Sequence, residues 1–264
     1  MSFAVNQLPL PRVDGVPAPG RRFALPAQEG LRGRVAFWLR NDASRLLWPS
    51  RCLVCAEPGL DGMDLCGDCD ASLPRLRHAC RRCAIPLAQA GTCGACLRSL
   101  SPVGRVHAAC EYAAPIDRLM PRFKFHEDLA AGRVLSQLMT EAFFSLERPD
   151  ALVPIPLHVR RLRSRGYDQA LELARPVARA LRIPLQARLL VRRRATAPQS
   201  ERDAPARRRN VRGAFQVRAH AAVPRHVVLV DDVMTTGATL QAAASALLLA
   251  GAERVDAWVC ARAP

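Results

Sequence analysis

Long apolar runs are missing from this 264-residue chain. No stretch reaches the roughly 20 residues that a helix needs to cross a bilayer, and residues 1–20 scatter Pro and Asp where a secretory leader has a basic flank and an apolar core. The expectation is a cytoplasmic protein with no membrane insertion. Lysine is nearly absent: Lys124 stands alone among 39 basic residues, so the net charge of +16 is an arginine charge. Such a field favours polyanions, namely nucleotides, nucleic acid or acidic partners. A genome whose codon bias favours Arg and Ala produces the same excess, so charge alone does not decide. Aromatics make up 5% of the residues, too few for a platform on which successive bases stack, which leaves backbone phosphates as the contacts a nucleic acid would find.

Cysteine, by contrast, is plentiful. Ten cysteines in a cytosolic chain do not read as a disulfide framework, because that compartment keeps thiols reduced. Eight of them form four copies of one unit: Cys52-x-x-Cys55, Cys66-x-x-Cys69, Cys80-x-x-Cys83 and Cys93-x-x-Cys96. A Cys-x-x-Cys turn sets two thiolates on one side of a knuckle, and two knuckles complete the tetrahedral sulfur shell that Zn2+ accepts. Two structural zinc sites are expected. Neighbouring knuckles suit the short hairpins of zinc ribbons across residues 56–65 and 84–92, while a crossed pairing of the first knuckle with the third stays open. Ferredoxin spacings do not match, and a redox Cys-x-x-Cys normally occurs once. Cys110 and Cys260 fall in apolar strand patterns and read as packing residues.

The length allows one full core and a small accessory module. Residues 1–33, rich in Pro, Arg and Gly without periodicity, read as a disordered arm. Residues 34–100 read as a short helix over 35–48 followed by the cysteine module, where bulky aliphatics are too few for a core and zinc–thiolate bonds supply the folding energy. Residues 101–264 alternate between strands at 106–112, 151–155, 227–230 and 254–260 and helices at 129–146, 168–181 and 238–249. The fold class is α/β, a parallel sheet flanked by helices and preceded by a double zinc ribbon, with ligands expected at the carboxyl ends of the strands.

The stretch His226-Val-Val-Leu-Val-Asp-Asp-Val-Met-Thr-Thr-Gly-Ala-Thr-Leu240 is the most informative. A buried strand is followed by two carboxylates and a small-residue turn that opens a helix. Backbone N–H groups from Thr235, Thr236, Gly237, Ala238 and Thr239 are placed to converge on a phosphate at the positive end of that helix, with the Thr hydroxyls as further donors. Gly237 lets the backbone come close. Asp231 and Asp232 are placed to accept hydrogen bonds from ribose hydroxyls, and one of them to hold Mg2+ through water. The pattern resembles the 5-phosphoribosyl 1-pyrophosphate (PRPP) motif of type I phosphoribosyltransferases.

Four knuckles followed by this domain resemble the ComF family of competence-associated proteins. Phe123-Lys-Phe125, Val153-Pro-Ile-Pro-Leu-His158, Arg165-Gly-Tyr-Asp-Gln169, Thr196-Ala-Pro-Gln199, Arg209-Asn210 and Gly213-Ala-Phe215 extend the likeness from about Leu46 to the C-terminus. Asp168 departs from the family's usual Asn. Independently of the resemblance, His158, Arg160, Arg161 and Arg163 leave a strand end where guanidinium groups suit a pyrophosphate, or else form a solvated basic loop. The only lysine, Lys124, reads as a point charge near a phosphate. Residues 192–212 read as a long loop that closes over substrate or stays in solvent.

Two functions follow. One is a transferase that moves phosphoribose from Mg2+-bound PRPP to an acceptor; it leaves the zinc module unexplained, and no catalytic base stands out. The other, which the resemblance favours, is a PRPP- or nucleotide-binding protein of natural transformation that engages single-stranded DNA or a protein of the competence machinery. The acceptor base is not legible, because acceptor specificity rests on loops with no transferable motif.

Overall fold

Four apolar residues in a row, Val227-Val-Leu-Val230, are what a strand needs when it is covered on both faces and bonded on both edges. In the computed structural model, which describes residues 50–194 and 213–263, these residues sit at the middle of a four-stranded parallel sheet. Its strands are β1 (Val106–Glu111), β2 (Ala151–Pro154), β5 (His226–Met234) and β6 (Arg254–Arg262), in the order β1-β6-β5-β2. The expected arm, the helix over 35–48 and most of the expected loop over 192–212 lie outside the described residues.

The side chains of β5 alternate between two cores, as the two-residue period of a strand requires. Val228 and Val230 pack with α3 (Ile116–Phe125), α4 (Leu129–Phe143), α6 (Gln169–Leu181) and the first cysteine segment. Val227 and Leu229 pack with α7 (Ala238–Leu249), the antiparallel pair β3 (Leu190–Arg192) and β4 (Phe215–Val217), and Ala84 of the second cysteine segment. Cys110 and Cys260 are buried in β1 and β6. The described residues form one compact unit, and both cysteine segments, which carry the short helices α1 (Gly67–Ala71) and α2 (Gly94–Leu97), contribute to its cores. No helix among the described residues is long and apolar enough to cross a membrane.

Three elements depart from the expectations. Strand β5 runs through Met234, so Asp231 and Asp232 lie within it and not beyond its end. The reason is that β6 pairs with it as far as Met234, whereas β2 stops at Val230. Helix α3 is not among the expected elements; Pro115 precedes it and Pro121 lies inside it. It forms nonetheless, since Ile116, Leu119, Met120 and Phe123 make a buried stripe at helical spacing. Gly132 of α4 lets that stripe approach: a Cβ there would stand 2.5 Å from the Phe123 ring. The basic segment after β2 is likewise no plain loop but helix α5 (Val159–Arg165).

At the amino end of the sheet, Asp256 is 3% exposed. It accepts hydrogen bonds from the Arg105 N–H at 2.8 Å and from His226 Nε2 at 3.0 Å, and pairs with Arg254 at 2.7 Å. Removing this carboxylate strands several donors at once. Asp256→Ala is expected to cost about 3 kcal/mol in urea unfolding of the zinc-loaded protein.

Candidate functional site

The eight knuckle cysteines gather into two groups of four, Cys52/Cys55/Cys66/Cys69 and Cys80/Cys83/Cys93/Cys96, with the sulfurs of each group within 4.8 Å of one another. Neighbouring knuckles pair, and the crossed arrangement is not adopted. Sulfurs of a tetrahedral Zn site with Zn–S of about 2.3 Å stand roughly 3.8 Å apart; Cys55 and Cys66 are 3.5 Å apart and Cys83 and Cys93 3.7 Å. The groups fit structural Zn2+.

Both ribbons use the same backbone device. Ala56 and Ala84, each directly after a knuckle, take left-handed φ values of 65° and 54° and donate their N–H to Cys52 O and Cys80 O. Burial works to raise the Cys52 and Cys80 thiols. It is outweighed by backbone N–H groups aimed at the sulfurs, from Cys66, Cys55 and Val54 at the first and from Cys93, Arg82 and Cys83 at the second. Both thiols come down to about 6, which suits metal-bound thiolates. His78 is exposed and belongs to neither group.

The second cluster lies where the sheet changes hand. The connection after β2 leads to α6 on one face, and that after β5 leads to α7 on the other, so a crevice opens at the carboxyl ends of these two neighbouring strands. Asp231 and Asp232 stand there. Asp231 Oδ1 accepts from the Asp232 N–H at 2.9 Å, and Asp232 Oδ1 accepts from the Val233 N–H. Burial first, and the Asp232 carboxylate second, push the Asp231 carboxyl up to about 8. Gly237 follows with φ 73°, and a Cβ on it would stand 2.5 Å from Met234 Cε, so both conformation and space call for glycine. No side chain caps the start of α7; the Ala238 N–H reaches only Thr236 Oγ1, at 3.4 Å. Thr235, Thr236 and Thr239 are not buried.

Lys124 reaches this cluster from the last turn of α3, but it meets a carboxylate: its Nζ lies 3.0 Å from Asp232 Oδ2, both side chains being less than one-fifth exposed. Asp168, the departure from the family pattern, caps α6 through the Leu171 N–H at 3.1 Å and also accepts from the Leu157 N–H at 3.0 Å. It thereby ties the turn after β2 to the helix. Burial raises its carboxyl, and the Asp232 charge acts in the same direction.

Of the basic residues expected here, His158 spends Nδ1 on the Arg160 N–H at 3.3 Å as the cap of α5, and Arg160 and Arg163 are exposed. Arg161 acts electrostatically on Arg192, which the expected 192–212 loop would include but which instead ends strand β3. Burial, then the Arg161 charge, lower Arg192 from the usual guanidinium range, while Asp231 opposes them. Arg192 is therefore within electrostatic reach of Asp231, and Arg161 within reach of Arg192, so basic charge borders the carboxylate pair. The pattern that placed Arg192 is the three-residue strand β3, too short to read from periodicity.

Residues 43–97 match the double zinc ribbon domain family, and residues 168–264 match the phosphoribosyl transferase domain family. Over whole chains, the DNA utilization protein YhgH of Escherichia coli strain K12 is 32% identical over 222 residues, covering 81% of this chain and 97% of that protein. Competence protein F of Haemophilus influenzae is 33% identical over 208 residues, with coverages of 75% and 90%. Competence protein ComFC of Bacillus subtilis is 28% identical over 199 residues, with coverages of 71% and 79%. Metal analysis of the purified chain is expected to return two zinc ions per molecule, falling to one in Cys96→Ser; a folded, metal-free chain would contradict the assignment.

Proposed function

Because the chain belongs to the ComF family, with competence proteins F and ComFC and the DNA utilization protein YhgH, we propose that it is a cytoplasmic phosphoribose-binding protein acting in DNA uptake. Its ligand is PRPP or a related ribose 5-phosphate. The observation that carries this reading is the carboxylate pair on β5 running into the uncapped start of α7. That juxtaposition offers acceptors for ribose hydroxyls and donors for a 5'-phosphate about one loop apart. Thr235, Thr236, Gly237, Ala238 and Thr239 hold the phosphate, Asp231 and Asp232 the ribose, and Arg161 and Arg192 the pyrophosphate.

Both carboxylates offer the hard oxygen donors that Mg2+ takes, so one of them holds the ion through water; Mg2+ supplies charge neutralisation for the pyrophosphate. Lys124 serves the site by balancing Asp232, which keeps two adjacent carboxylates tolerable in the absence of ligand. The arginine-rich surface engages single-stranded DNA through its phosphates, or a partner in the uptake machinery.

A transferase reading has one observation in its favour: the Asp231 carboxyl, raised toward neutral pH, has the proton affinity of a general base. The binding reading is preferred because transfer to an acceptor leaves the zinc module without a part. Calorimetric titration of the zinc-loaded chain with PRPP and Mg2+ tests the pocket. Asp231→Ala combined with Asp232→Ala is expected to weaken binding by roughly 100-fold or more, in line with losing several hydrogen bonds to a charged ligand, while circular dichroism stays unchanged. Unaltered affinity would remove the assignment. DNA binding through about six phosphates should fall on the order of 10³-fold between 50 and 200 mM salt; no binding at the lower salt favours the small-molecule enzyme.

A further inference from the structure

Arg262, the last residue of β6, is 7% exposed and has no carboxylate partner among the described residues. Its guanidinium is spent on two backbone carbonyls of different parts of the molecule. Nε donates to Cys83 O at 2.8 Å, inside the second pair of knuckles, and NH1 donates to Met234 O at 3.2 Å, the last residue of β5 before the Thr235–Thr239 loop. Burying an arginine without a counter-ion is costly. A zinc ion held by four thiolates carries a formal charge of about −2, and the bond to Cys83 O ties the guanidinium to a knuckle of that centre.

Packing follows the same line as the hydrogen bonds. Ala84, next to Cys83, is 1% exposed and lies in one buried cluster with Met234 and Leu240 of α7. Met234 Cε in turn fills the space that a side chain at position 237 would need. The first ribbon has a different attachment: the Leu53 carbonyl, within its first knuckle, accepts from Arg122 NH1 at 2.6 Å on α3, two residues before Lys124. Each ribbon thus has a knuckle carbonyl held by an arginine of the α/β part, and only Arg262 also reaches the residue that leads into the loop.

We propose that Arg262 is a positioning residue that makes the geometry of the Thr235–Thr239 loop depend on the second zinc centre. With that centre closed, Cys83 O and Met234 O are held at the two ends of one rigid guanidinium, and the loop amides stay aimed at the place of the phosphate. With the centre open, the Cys83 carbonyl is released. The consequence for a ligand rests on the phosphoribose reading; the mechanical coupling does not.

The experiment is hydrogen–deuterium exchange, read by mass spectrometry on the full chain purified with zinc. Cys96→Ser opens the second centre, Cys69→Ser opens the first, and Arg262→Met removes the guanidinium at similar volume. Exchange across 235–239 is expected to quicken roughly tenfold in Arg262→Met and in Cys96→Ser, while Cys69→Ser acts on residues 119–125. If Arg262→Met fails to fold, Cys96→Ser still decides. Rates at 235–239 equal to wild type in the folded variants overturn the proposal, and so does the same rise in Cys69→Ser as in Cys96→Ser.

A second readout adds PRPP and Mg2+ and follows chelator-driven zinc release. By linkage, PRPP should slow release from one of two ions in the wild type and not in Arg262→Met. A wild-type chain that binds no PRPP yet shows the exchange coupling removes the phosphoribose reading and leaves the brace standing. PRPP binding without the exchange coupling does the reverse.

Discussion

The unequal pairing of one strand places the carboxylate pair on which the candidate site depends. Strand β5 is bonded on both edges as far as Val230, then keeps β6 as a partner while β2 ends. A segment that is strand on one side and open on the other can carry carboxylates that a fully enclosed strand could not, because one face still reaches water or a ligand. Asp231 and Asp232 occupy those positions. The helices that follow β2 and β5 leave on opposite faces, so the opening becomes a crevice. Lys124, Asp168, Arg161 and Arg192 then converge on it from four separate elements.

Metal plays the part that apolar burial plays elsewhere. The cysteine segments contribute few large side chains to the cores: Leu65 and Leu73 from the first, Ala84 from the second. Their form is set by thiolate geometry and by backbone N–H groups turned toward sulfur, and hydrogen bonds join them to the sheet. Leu53 O, Gly62 O and Asp64 receive Arg122, Gln137 and Arg133 at the first ribbon, and Cys83 O receives Arg262 at the second. Donors of this kind fix direction as well as distance. Docked in this manner, the modules are tied to the neighbouring helix α3 on one side and to the end of β5 on the other.

Charge is arranged on the same plan. Asp231, Asp232 and Asp168 repel one another in a partly desolvated crevice, and one ammonium is set against Asp232. Lysine suits that place because it brings a compact point charge to a single carboxylate oxygen. An arginine there would bring a planar fork that needs two acceptors in one plane. Basic charge enters as well: Arg192 feels Asp231, and Arg161 acts on Arg192.

Sequence by itself determined the metal chemistry, the α/β class, the places of all four sheet strands and the site's central motif. Each is written locally: thiol spacing sets a knuckle, four consecutive β-branched or aliphatic residues set a buried strand, and Gly237 sets a left-handed turn. Helix α3 is also written locally, in the apolar spacing of 116, 119, 120 and 123, although Pro121 lies inside it. Tertiary structure alone decided which knuckles pair, that Lys124 answers Asp232, that Asp168 joins two loops, and that Arg192 and Arg262 matter. Those facts depend on residues brought together across tens to hundreds of positions. Only closure of the sheet, with strand order β1-β6-β5-β2 departing from chain order, specifies such neighbours.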